Sequence, residues 1–199
     1  MEFWFEFAST YSYLSVMRIE ALAAEQNVPV TWQPFLLGPI FKTQGWDTSP
    51  FNLYPAKGHY MWRDMERQAE KFGLPFHRPS EFPRNGLLAA RIALLGSEQP
   101  WGPAFVKAVY ERNFVRNLAI DDAAALATVL VQLQLDAEAI LEQAQSATNK
   151  QRLKEQTERA QTLGIFGAPS FVVGNELFWG NDRLEDALTH YRKTHRDAT

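Results

Sequence analysis

The 199-residue chain contains no cysteine. That absence excludes a disulfide framework, thiolate zinc sites, a cysteine nucleophile and any thiol–disulfide exchange by the protein's own side chains, and it fits a reducing compartment. No apolar run approaches the roughly 20 residues needed to span a bilayer. The N-terminus opens on an aromatic, strand-like run, not on a basic segment followed by an apolar helix and a small-residue cleavage site, so a soluble cytoplasmic protein is expected. There is no basic stripe either. The net charge is −3 with the signs interspersed, and the aromatic residues are not interleaved with Lys or Arg, which argues against nucleic acid as a partner. His59, His77, His190 and His195 show no metal-ligand spacing, so no metal is expected. Internal repeats and low-complexity tracts are also missing.

What is present is enough apolar residue, 46% of the chain, to bury a substantial core without staples. Phe3 to Phe7 reads as a strand covered on both faces. From about Tyr11 to Gln26 the apolar spacing becomes helical, with Leu14, Met17, Ala21 and Leu22 on one face, and Val28 to Phe35 reads as the next strand. Strand, helix and strand in so short a span form a βαβ unit with parallel strands. From Leu37 the texture changes. Gly38, Pro39, Gly45, Pro50, Pro55 and Gly58 punctuate a stretch rich in aromatics, which reads as a long structured loop without regular elements, a kind of segment that is often functional.

Helical patterns follow over Tyr60–Phe72, about Arg84–Leu95, Trp101–Arg116, a segment capped by Asp121 or Asp122, one starting at Asp136, and a run from Asn149 to Gly164. Strand signals return in Ser170–Val173 and Glu176–Trp179, separated by Gly174-Asn175, a pair suited to a II′ hairpin turn. Asn181 or Asp182 is placed to cap a last helix carrying Leu184, Leu188 and Tyr191 on one face.

Two segments at opposite ends of the chain carry the candidate chemistry. In Phe7-Ala8-Ser9-Thr10-Tyr11, Ser9 stands where a helix begins; read alone, it is an N-cap. In Gly167-Ala168-Pro169, the proline read alone is a turn residue before a strand. Trp179-Gly180-Asn181-Asp182 is either an ordinary strand-turn-helix junction with an Asx cap or an anion site, since amides at a helix start bind carboxylates while Asp182 can receive an ammonium.

The whole set of motifs resembles 2-hydroxychromene-2-carboxylate isomerases and, more distantly, kappa-class glutathione transferases. It comprises Phe7-Ala8-Ser9 with Tyr11-Ser12-Tyr13-Leu14; Ser49 through Lys57; Tyr60 through Asp64; Phe72-Gly73-Leu74-Pro75-Phe76; Phe82-Pro83; Gly167-Ala168-Pro169; and Phe178 through Leu184. Thr10 departs from the pattern, where many members have proline. The resemblance implies an α/β fold: a thioredoxin-like domain built from residues 1–37 and 150–199, interrupted by an all-helical insertion over 38–149. It also implies glutathione as cofactor, an aromatic acid as substrate, and a homodimer.

On that resemblance Ser9 holds the glutathione sulfur as a thiolate stabiliser. A free thiol ionises near pH ~8.5, and a helix start and a hydroxyl donor, each worth about 1 kcal/mol, both favour the anion. Pro169 is expected cis, facing Ser9, with the N–H and C=O of Ala168 free to pair with the cysteinyl unit. Trp179, Gly180, Asn181 and Asp182 are expected around the γ-glutamyl end, and Lys42, Asn52 and Phe82 around the substrate. Lys42 and Lys57 are the basic residues of the aromatic loop, while Phe41, Trp46, Phe51 and Phe82 also suit packing between domains. The reaction implied is glutathione-dependent cis–trans isomerisation of 2-hydroxychromene-2-carboxylate in naphthalene breakdown. A conjugating transferase and a degenerate binding module in which Ser9 is only a cap stand beside it as alternatives.

Overall fold

The computed structural model describes residues 1–196. Strand β1 (Glu2–Phe5) leads into helix α1 (Thr10–Val16), helix α2 (Ile19–Glu25) and strand β2 (Thr31–Pro34). Helices α3 (Leu37–Thr43), α4 (Pro50–Leu53), α5 (Pro55–Phe72), α6 (Leu87–Gly96), α7 (Gly102–Phe114), α8 (Ala123–Gln132), α9 (Ala137–Gln145) and α10 (Ala147–Thr162) follow without an intervening strand among the described residues. Strands β3 (Ser170–Val173) and β4 (Glu176–Trp179), a 3-10 turn over Asn181–Arg183, and helix α11 (Leu184–Arg196) complete the chain. The sheet order is β2-β1-β3-β4, with β1 parallel to β2 and antiparallel to β3. This is the expected thioredoxin-like α/β arrangement, interrupted by helices.

β1 is buried on both faces because its side chains alternate between two apolar layers. Phe3 stacks on Phe171 of β3 at 5.3 Å and meets Trp32 of β2 edge-on at 5.2 Å, and Phe5 continues that layer toward Tyr110 of α7. Trp4 faces the other way, against Phe35, Ile40, Ala160, Ile165 and Val172. The first layer is continuous with the helical segment through Met61, Ala89, Phe105 and Leu126, so truncating one of these fully buried rings would cost about 3–5 kcal/mol. The hairpin joins β3 to β4 through Gly174 at φ +59° while Asn175 keeps an ordinary φ, the II′ pattern expected.

Three local readings change. The stretch after Leu37 is helical, because Pro39, Pro50 and Pro55 all fall in first turns, where a missing N–H costs nothing and a fixed φ helps. Close approach of α4 to α5 is made possible at Gly58, where any Cβ would overlap the Phe51 carbonyl. The single helix expected from Tyr11 to Gln26 is instead two, broken at Met17–Arg18; there the Arg18 guanidinium lies 3.6 Å from the centroid of the Phe72 ring and bonds to Glu185 at 2.6 Å. Neither Asn181 nor Asp182 caps α11 with its side chain. Asn181 turns inward, where its Oδ1 accepts from the Ser15 hydroxyl at 3.1 Å and from Arg18 at 3.4 Å, satisfying donors that burial would otherwise leave unpaired.

Candidate functional site

The two ends of the chain meet at Ser9. Its Oγ accepts the Ser12 amide at 3.2 Å, which makes it the N-cap of α1, and donates to the Ala168 carbonyl at 2.9 Å. Cap and hydroxyl donor are thus one atom. The Ala168–Pro169 bond is cis. The expectation that both main-chain groups of Ala168 are free is corrected in half: its amide has no partner among the described residues, whereas its carbonyl is engaged by Ser9. The reason is local, since the serine proton needs an acceptor and this carbonyl faces it. The amides of Thr10 and Tyr11 at the start of α1 also have no partner among the described residues.

Next to this centre the β4–α11 junction folds back on the proline. Gly180 donates to the Pro169 carbonyl at 3.0 Å and holds φ +110°, a conformation that side chains rarely adopt. The Trp179 indole lies across Gly167, where a Cβ would overlap its nitrogen, and pairs with Phe166 at 4.8 Å. Both rings remain exposed, at 52% and 44%, which makes an aromatic ledge beside Ser9 and the cis-proline. In the 3-10 turn the amides of Asn181 and Asp182 have no partner among the described residues, and the Asp182 carboxylate is exposed beside Arg183 at 3.2 Å. The arrangement offers an extended peptide an unpaired amide at Ala168, and offers terminal charges two free amides and a carboxylate.

The residues expected around a substrate are not gathered by hydrogen bonds to this centre. Lys42 is exposed in the last turn of α3 without an ion pair among the described residues. Asn52 is exposed in α4 with its Nδ2 on Thr48 Oγ1 at 3.2 Å. Phe82 is partly buried, edge-on to Trp62 at 4.9 Å. What does connect the helical segment to the start of α1 is Tyr11, whose hydroxyl donates to Asp64 of α5 at 2.8 Å and whose ring lies 6.3 Å from Phe51. Burial, with the Asp64 carboxylate next in weight, pushes the Tyr11 phenol well above its ordinary value. Glu6, in the turn before Ser9, has no assignment from the sequence pattern: burial raises its carboxyl to about 7 against the opposing bond from the Ala8 amide at 3.0 Å. Glu6 is the one charged residue of the aromatic run Phe3–Phe7, which marks the position without revealing its surroundings.

Away from this centre, a cavity of about 410 Å³ lined by Met1, Glu2, Arg159, Tyr191 and His195 opens at the opposite end of β1; its Glu2 and Arg159 are paired with each other. No His, Asp or Glu group among the described residues forms a metal-binding cluster.

Fold and centre define a thioredoxin-like protein in which a serine, not a cysteine, faces the cis-proline. The DSBA-like thioredoxin domain family matches residues 1–192, and the chain belongs to it, within the branch of the 2-hydroxychromene-2-carboxylate isomerases. It is 30% identical over 186 residues to the 2-hydroxychromene-2-carboxylate isomerase of Sphingobium xenophagum, covering 93% of this chain and 94% of that one. It is 28% identical over 202 residues to glutathione S-transferase kappa 1 of Homo sapiens, covering 93% and 87%. Among solved structures, a 2-hydroxychromene-2-carboxylate isomerase superposes with a TM-score of 0.86 at 26% identity, over 100% of this chain and 98% of the other.

Proposed function

We propose that the protein is a glutathione-dependent cis–trans isomerase acting on 2-hydroxychromene-2-carboxylate or a closely similar aromatic acid in bacterial naphthalene-type catabolism, and that it works as a cytoplasmic homodimer. The observation that carries the reading is the Ser9 hydroxyl directed at the residue before a cis-proline, in a chain with no sulfur nucleophile of its own. The groups at the centre fit glutathione: the Ala168 amide suits its cysteinyl carbonyl, the amides of Asn181 and Asp182 suit the γ-glutamyl carboxylate, and the exposed Asp182 carboxylate, which Arg183 meets at 3.2 Å, suits the ammonium.

When bound, glutathione supplies a thiolate able to add reversibly to a conjugated double bond, which is single and free to rotate until the sulfur leaves. Ser9 redirects its proton from the Ala168 carbonyl to the sulfur, exchanging one hydrogen bond for a charge-assisted one. Trp179 and Phe166, their rings tilted 58° to one another, give an apolar wall to one side, and Lys42 is assigned to the negative charge that develops on the substrate oxygen. Turnover of the chromene acid without loss of glutathione is the expected assay result. Glutathione falling in step with substrate would instead mean conjugation, the reading that the kappa-class relatives support. Lys42→Ala leaving turnover intact while Ser9→Ala removes it would sink the Lys42 assignment.

A further inference from the structure

Glu6 is not used in the scheme above, yet it sits in the turn that carries Ser9. Its Oε2 accepts the Ala8 amide at 3.0 Å, and its main-chain carbonyl accepts both the Ser9 amide at 2.9 Å and the Tyr110 hydroxyl at 2.6 Å. The backbone of Gly86 closes over the carboxyl, where a Cβ would stand 3.6 Å from Oε1. No cation answers it among the described residues. The basic residue of the covering loop, Arg84, spends its guanidinium on Asn113, Asn117 and the Leu118 carbonyl. From α7 the titratable group facing Glu6 is Tyr110, which burial holds well above its ordinary value. From α1, the buried Ser12 hydroxyl stands beside the Tyr110 hydroxyl.

We infer that Glu6 is a positioning residue for the sulfur site: it fixes the Ala8–Ser9 turn through the Ala8 amide, and its charge opposes the charge of the ligand sulfur that Ser9 receives. The inference rests on the glutathione reading above. Two like charges on one turn disfavour each other and titrate as a pair. Burial places the Glu6 transition at about 7, so the group changes charge in the range where a bound thiol also ionises. With Glu6 protonated the thiolate forms more readily, and once Glu6 ionises its formation is held back. Reciprocally, a bound thiolate raises the Glu6 transition.

The test follows thiolate absorbance near 240 nm during pH titration of glutathione on the wild type, Glu6→Gln and Glu6→Asp, beside carbon-13 NMR titration of the Glu6 carboxyl without ligand. Glutamine keeps an acceptor for the Ala8 amide and removes the charge, so Glu6→Gln should lower the bound thiol transition by about half to one pH unit and leave a single step. Glu6→Asp, which keeps the charge, should retain a two-step curve. Superposable wild-type and Glu6→Gln curves with normal glutathione binding would overturn the inference and leave the functional reading standing. A Glu6 transition at the ordinary carboxylate value would overturn it whatever the ligand does. Absence of glutathione binding by the wild type would overturn the functional reading and the charge coupling together, even with the Glu6 transition found near neutrality.

Discussion

Ser9 and Ala168, separated by 159 positions in the chain, are joined by a 2.9 Å hydrogen bond from hydroxyl to carbonyl. Because the same oxygen caps α1, a substitution at Ser9 alters stability and chemistry together unless it is chosen to separate them. Ser9→Ala should lower stability by about 1 kcal/mol and isomerase turnover by at least about tenfold. Ser9→Asp keeps an acceptor for the Ser12 amide but cannot donate to the Ala168 carbonyl, so it should recover only part of the stability lost in Ser9→Ala and still lose glutathione binding to the negative charge it brings. Calorimetric binding beside thermal unfolding checks both.

At the ledge, Gly167→Ala should displace the Trp179 indole, since the added Cβ overlaps it. The ring is half exposed and can rotate away, so the melting temperature should change little. Tryptophan emission should shift and ligand affinity should weaken several-fold; an unchanged spectrum with unchanged affinity would count against the ledge as part of the site.

Asp182→Asn removes the carboxylate assigned to the γ-glutamyl ammonium while leaving the turn amides in place. The expected loss is about 1 kcal/mol of glutathione affinity, roughly fivefold, because the group is exposed and screened. It should raise the KM for glutathione with little change in kcat, the pattern of an interaction made equally in ground and transition states.

Stability should depend on pH through Glu6. Its carboxyl stands at about 7 in the folded protein against an ordinary value of 4.5, so between these values the folded state holds a proton that the unfolded chain has released. Stability therefore declines as pH rises through that window and levels off above it. The full difference is on the order of 3 kcal/mol, an upper figure because Glu6 keeps some solvent contact. Glu6→Gln should flatten this decline in calorimetric scans from pH ~4 to ~8.

The sheet was legible because its residues announce it: consecutive aromatics in β1, a Gly-Asn pair between two β-rich runs, and a helical period after Ser9. Pro39, Pro50 and Pro55 misled, since proline reads as punctuation in a sequence and only helix context reveals it as a first-turn residue. The inward turn of Asn181 depends on Ser15 and Arg18, remote donors that no local pattern links to it. Glu6 and the Tyr11–Asp64 bond were hidden for the same reason, because α7, the loop before α6 and α5 supply their surroundings. At the centre itself, Ser9, Ala168 and Pro169 were visible as motifs, but the engagement of the Ala168 carbonyl was not.

Strand β1 finds its antiparallel neighbour only at Ser170–Val172. During synthesis β1 must wait, aromatic and unpaired on one edge, until the distant β3 has left the ribosome. Such distant pairing slows folding and leaves a sticky nascent segment in need of shelter, so the meeting of Ser9 with Ala168 is a late event in the birth of the molecule.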